Sequence, residues 1–185
     1  MKVFIVSCSL RQGSLNHKLA EHMARLVEGM GHEADIANMR EFDMPLYNFD
    51  IQEADGWPPA MEAMVERITS ADAWVIVTPE FNWSVPGNIK NAIDWISRVR
   101  PVPIAGKSVF LAAASPSMTG GVRGLLHFRV SLESLGVWTY PKVFALAQAA
   151  QAFDDDGGLA NAEIAGMLKA MLEDYCSGAQ ALNNR

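Results

Sequence analysis

Three short stretches of the chain gather the side chains that could hold or transform a ligand. The first is Ser9-Leu10-Arg11-Gln12-Gly13-Ser14-Leu15-Asn16, which follows the apolar run Val3-Phe4-Ile5-Val6 and precedes a segment of helical period. A helix starting near Ser14 would turn free backbone N–H groups and a partial positive charge toward this loop. Gly13 allows a tight turn, Ser9, Ser14 and Asn16 add hydrogen-bonding groups, and Arg11 supplies a planar cationic fork. Together they suit a dianionic monophosphate bound without metal. A plainer reading stays open, with Ser14 as an N-cap and Arg11 as a solvated loop residue. The stretch is neither G-x-G-x-x-G nor G-x-x-x-x-G-K-[ST], so Rossmann and P-loop chemistry are poorly supported.

The second stretch is Pro79-Glu80-Phe81-Asn82-Trp83-Ser84-Val85-Pro86-Gly87. Its prolines and glycine stiffen the backbone and turn peptide groups outward. Phe81 and Trp83 offer flat apolar surface and Asn82 a donor and an acceptor, which suits the edge of a heteroaromatic ring. The rings could equally pack on a neighbouring subunit. Glu80 is the only acid in these loops, and bracing backbone amides is its other possible role. In the third stretch, Ser115-Pro116-Ser117-Met118-Thr119-Gly120-Gly121, the paired glycines allow close backbone approach to a planar ligand or a simple strand-to-helix turn. Arg123, just beyond, could meet an anionic substrate or a protein carboxylate.

Other chemistry finds little support. His17, His22, His32 and His127 have no metal-ligand spacing. Cys8, near the end of the first apolar run, has no assignable base and reads as a small core residue. Asp154-Asp155-Asp156-Gly157-Gly158 lacks the remaining positions of a calcium loop and reads as a solvated turn. No hydrolase triad or carboxylate pair stands out, so the reactivity would come from a bound cofactor.

The elements that must position these loops alternate in period. Strands are expected at the apolar run 3–6, around 34–37, at 74–78 and 108–114, and between 137 and 146. Between and after them, helical stripes run through Leu15, Leu19, Met23 and Val27; Met61, Met64 and Ile68; Ile89, Ile93 and Ile96; Leu125, Phe128 and Leu132; and Ile164, Leu168 and Met171. Residues 39–59 form a long polar and aromatic connection, a length that tends to be functional or interfacial. Five strands alternating with five helices predict an α/β fold: a flavodoxin-like three-layer sandwich with a five-stranded parallel sheet of order 2-1-3-4-5. All three suspicious loops then fall at carboxyl ends of strands one, three and four, where such sheets bind ligands.

The whole chain sets bounds on partners. Its 185 residues predict a single domain over 1–185, and half of them are apolar. A formal net charge of -6 without a long basic run argues against nucleic acid. No apolar run approaches the roughly 20 residues that span a bilayer, no signal-peptide pattern opens the chain, and two distant cysteines fit a reducing cytoplasm.

With these residues in view, the chain resembles the NADPH-dependent FMN reductase family, and within it the quinone and chromate reductase group. The resemblance is carried by SLRQGSLNHKLA at residues 9–20, TPEFNWSVPGNIKNAIDWISR at 78–98 and, more weakly, GGVR at 120–123. It implies FMN with its phosphate at Ser9, Arg11, Ser14, Leu15 and Asn16. The isoalloxazine would lie against Pro79, Glu80, Phe81, Asn82 and Trp83, with Ser115, Gly120 and Gly121 on its other side. It further implies a homodimer or homotetramer, with Asp50 resembling a position near the subunit contact. Phe81 stands where the family usually has tyrosine. The activity implied is hydride transfer from NADPH or NADH through FMN to a small-molecule acceptor such as a quinone. A flavodoxin-type electron carrier is the alternative, and a flavin-free binding module a third.

Overall fold

The protein is described by a computed structural model over residues 1–184; position 185, the last of the expected domain, lies outside the described residues. Strands β1 (Lys2–Ser7), β2 (Glu33–Asn38), β3 (Ala73–Val77), β4 (Ser108–Ala114) and β5 (Trp138–Leu146) form one parallel sheet of order β2-β1-β3-β4-β5. This is the flavodoxin-like order expected. Strands β1, β3 and β4 are buried almost throughout, which explains why they read as continuous apolar runs.

Because side chains alternate across a strand, each central strand feeds two cores. Val3, Ile5, Val75 and Phe110 pack beneath α1 (Leu15–Gly29) and α6 (Ala162–Asn183). Phe4, Val6, Trp74 and Leu111 pack on the opposite side, in the core shared with α3 (Pro59–Ser70), α4 (Gly87–Ile96) and α5 (Val122–Glu133). The Tyr175 hydroxyl on α6 is fixed within the first core. It reaches the carbonyls of Trp74 at 2.8 Å and Ser108 at 3.0 Å and accepts the Trp74 N–H at 3.1 Å.

The structure adds an element within the stretch expected to be a connection. A 3-10 turn spans Met39–Glu41, and a short helix, α2, spans Phe49–Asp55. Helix α2 has no buried residue and therefore no apolar stripe to announce it. Side chains of α4 clamp the stretch before it: Asn91 Oδ1 accepts the Tyr47 N–H at 2.8 Å, while Asn91 Nδ2 and Trp95 Nε1 both donate to the Pro45 carbonyl. The Tyr47 ring meets the Trp95 ring edge-on, with centroids 5.0 Å apart.

Candidate functional site

The ends of β1, β3 and β4 bring the three loops around one cavity of about 420 Å³. Ser9, Arg11, Ser14, Leu15 and Asn16 line one wall. Pro79, Glu80 and Phe81 line a second, and Ala114, Ser115 and Pro116 a third. Ala150 closes the cavity from a segment beyond β5 that sequence reasoning missed. It follows the left-handed Gln148 in a 3-10 turn tied to the third loop, where the Ala149 N–H donates to the Ser115 carbonyl at 2.9 Å. Alanine offers no chemical signal; only its place after a strand's carboxyl end could have drawn attention.

In the first loop the plainer reading of Ser14 and Arg11 is what the structure shows, and groups that could meet a ligand are left over. Ser14 is the N-cap of α1, its Oγ accepting the N–H groups of Asn16 at 3.2 Å and His17 at 3.4 Å. Gly13 takes a left-handed φ of +63°, which makes the tight turn possible. Among the described residues, the N–H groups of residues 12–15 find no acceptor. Arg11 is exposed and makes only a long 3.4 Å contact to the Gly13 carbonyl, so its guanidinium can turn to a ligand. Unclaimed amides, a helix N-terminus, the Ser9 hydroxyl and a free guanidinium are what a phosphate dianion requires.

Asn16 departs from the expectation that its amide addresses the ligand. Nδ2 donates to the Ala114 carbonyl and Oδ1 accepts the Ala114 N–H, each at 2.9 Å. This buried pair of bonds ties the start of α1 to the end of β4. Asn16 lines the cavity but acts as its brace.

The second loop is a two-residue hairpin turn. Phe81 and Ser84 exchange backbone hydrogen bonds of 2.8 and 2.9 Å, and Asn82 and Trp83 between them have φ of 51° and 66°. Two positive φ values are the mark of a I′ turn, natural for asparagine and strained for tryptophan. Asn82 and Trp83, expected beside the ring, are not in the cavity wall. The Trp83 ring lies over the Arg123 guanidinium, 4.5 Å from its centroid. Phe81, 58% exposed, is shared with a neighbouring cavity of about 220 Å³ lined also by Leu10, Gly87 and Asn88.

Glu80 lines the cavity but commits its carboxylate to protein partners. Oε1 pairs with Arg123 Nη2 at 2.5 Å and Oε2 accepts the Gly124 N–H at 3.0 Å, capping α5, which has no side-chain cap of its own. Burial alone would raise its pKa, but the Arg123 guanidinium and the N–H groups of Gly124 and Arg123 prevail and hold it below its ordinary value. Glu80 thus stays ionised, and Arg123 offsets the negative charge it brings to the cavity wall.

Gly120 and Gly121 also differ from expectation. A Cβ on Gly120 would lie 2.7 Å from the Ala145 backbone, and one on Gly121 3.0 Å from Ala113 Cβ. Their missing side chains face the interior, where they let the loop settle on β4 and β5, and neither residue lines the cavity. Asp50 sits exposed in the first turn of α2, capped by Asn48, and is not part of the cavity wall. Cys8 is fully buried, which pushes its thiol upward and keeps it protonated.

The sequence matches the NADPH-dependent FMN reductase family over residues 1–151, and the chain belongs to that family. The fold and the family thus define a flavodoxin-like oxidoreductase of the FMN reductase class. Among its relatives, an NAD(P)H-dependent FMN reductase of Pseudomonas aeruginosa is 39% identical over 176 residues, 94% of this chain and 92% of that protein. A quinone reductase of Escherichia coli is 40% identical over 129 residues, 70% of this chain and 68% of that protein. The solved structure of FerB, a flavoenzyme NAD(P)H:(acceptor) oxidoreductase from Paracoccus denitrificans, superposes with a TM-score of 0.83 at 28% identity, covering 97% of each chain.

Proposed function

We propose that the chain is one flavodoxin-like domain that binds FMN in the cavity above β1, β3 and β4 and passes a hydride from NADPH or NADH to a quinone or similar acceptor. The observation that carries this reading is the set of unclaimed N–H groups at residues 12–15, beside Ser9 and Arg11. These groups would hold the phosphate by charge-assisted hydrogen bonds, and Ser14 would keep α1 fixed beneath it. Pro79, Glu80 and Phe81 would support the isoalloxazine through their backbone and the Phe81 ring, with Ser115, Pro116 and Ala150 opposite. Asn82 and Trp83 would frame its rim.

When bound, FMN supplies the two-electron chemistry of hydride acceptance and donation. The protein contributes placement: stiff loops fix where the donor and acceptor can stack, and backbone N–H groups can stabilise negative charge on the reduced ring. No side chain need move a proton, in keeping with a cavity whose only acid is committed elsewhere. Phe81, lacking a hydroxyl, gives the entrance an apolar wall suited to quinone rings.

We further propose cytoplasmic operation and self-association as a dimer or tetramer. Supporting the latter, Leu126 and Val130, one turn apart on α5, are 50% and 70% exposed, close in sequence to Arg123. Asp50 would lie near such a contact. No helix among the described residues is long and apolar enough to cross a membrane.

The test is anaerobic mixing of FMN-loaded protein with NADPH, and separately with NADH. Bleaching of the oxidised flavin absorbance, followed by recovery when a quinone is added, is the expected result. Flavin that stays oxidised with both donors would reject the reductase reading and leave the electron-carrier alternative.

A further inference from the structure

The Glu80–Arg123 pair is more than a helix cap. The Glu80 side chain is 9% exposed and that of Arg123 34%. Among the described residues, Glu80 is the only carboxylate within ion-pair distance of Arg123. The same guanidinium meets the Trp83 ring and, at 3.4 Å, the Thr119 hydroxyl, so it stands between the second and third loops. Glu80 itself belongs to the cavity wall. A carboxylate and a guanidinium are therefore held together at the edge of the proposed flavin site, each shielding the other.

We propose that Glu80 is a positioning residue which locks the 79–84 loop onto α5 and, by cancelling the charge of Arg123, sets the reduction potential of the bound flavin. The inference rests on the reading that FMN occupies this cavity. Reduction adds negative charge to the isoalloxazine ring. An uncompensated cation beside the ring would favour the reduced form, and an uncompensated carboxylate would oppose it. The intact pair presents only a small dipole. The lock has a steric counterpart: a Cβ on Gly124 would lie 2.7 Å from the Ser84 carbonyl, so α5 and the turn meet as closely as backbones allow.

A purely structural cap makes a different prediction. Losing either partner would then loosen the same loop and move the flavin's properties in one direction. The experiment is measurement of the FMN midpoint potential at about pH 8, above the ordinary carboxylate range. It compares the unaltered protein with Glu80→Gln, Arg123→Gln and the double variant. Glutamine at position 80 keeps an acceptor for the Gly124 N–H while removing the charge. The potential should rise in Glu80→Gln, fall in Arg123→Gln, and return toward the unaltered value in the double variant. Should Arg123→Gln not fold, a rise in Glu80→Gln that the double variant reverses is the same signature. Shifts of one sign, or none, in protein that binds FMN would overturn this inference and leave the flavin site standing. Failure of the unaltered protein to bind FMN would overturn both.

Discussion

At the scale of single residues, Arg11 is the side chain on which phosphate binding should depend most. It is exposed, weakly engaged and the only guanidinium in the cavity wall. A charge-assisted bond of this kind contributes about 1.5–3 kcal/mol, so Arg11→Ala should weaken FMN binding by roughly 10- to 100-fold. Quenching of flavin fluorescence on titration measures it, and an unchanged affinity would remove Arg11 from the site. Gly124 marks the other kind of dependence. Gly124→Ala must push the Ser84 carbonyl away, and about 1–3 kcal/mol of lost stability is expected from such overpacking. Calorimetry should find a lower Tm, with FMN affinity reduced because the displaced turn borders the site. The residue types lining the first wall of the cavity were legible from sequence because hydroxyls, glycine and arginine collect there just before a helix, as a cap or as an anion cradle. The division of labour among them was not. Asn16 read as ligand-facing and Glu80 as ligand-facing or bracing, and only the positions of Ala114, Arg123 and Gly124 decide that both brace.

At the scale of elements, the site depends on how firmly α1 and α5 are held to the ends of the strands. Asn16 is the tie between α1 and β4. Asn16→Ala would leave a buried N–H and a buried carbonyl of Ala114 without partners, each a penalty of about 1–3 kcal/mol. A loss of at least 2 kcal/mol in urea unfolding is expected; a loss below that of an ordinary surface change would show that the tie is dispensable. Strands and helices with an apolar face were readable because burial imposes their period. Helix α2 was not, since no residue of it is fully buried, Ile51 alone packing partly on the core, and it is set by the Asn48 cap and the clamp on the preceding stretch. The turn holding Ala150 escaped for a similar reason: its lining residue is defined by where the backbone goes.

At the scale of the whole molecule, alternation of period and the handedness of parallel crossovers left a few strand orders, of which 2-1-3-4-5 is the one observed, and that order gathers the three loops at one end of the sheet. The titration of the fold follows from its buried and paired groups. Partial burial, with Arg25 nearby, lowers the pKa of His22, and the interactions of Glu80 lower its own. A group whose pKa is depressed by folding adds stability above its unfolded value and loses it as pH falls through the folded one. Stability should therefore decline on acidification, first from around the ordinary histidine range and again below the ordinary carboxylate range. Denaturation midpoints against pH test this. Glu80→Gln should flatten the lower limb alone, and an unchanged lower limb would mean that Glu80 does not stabilise the fold through its charge.

The most direct test of the central claim is a crystal structure of the protein with FMN. Its phosphate should accept the N–H groups of residues 12–15 and the Arg11 guanidinium, with the ring between Pro79–Phe81 and the Ser115–Ala150 side. A flavin bound elsewhere, or this cavity empty beside saturating FMN, would contradict the account.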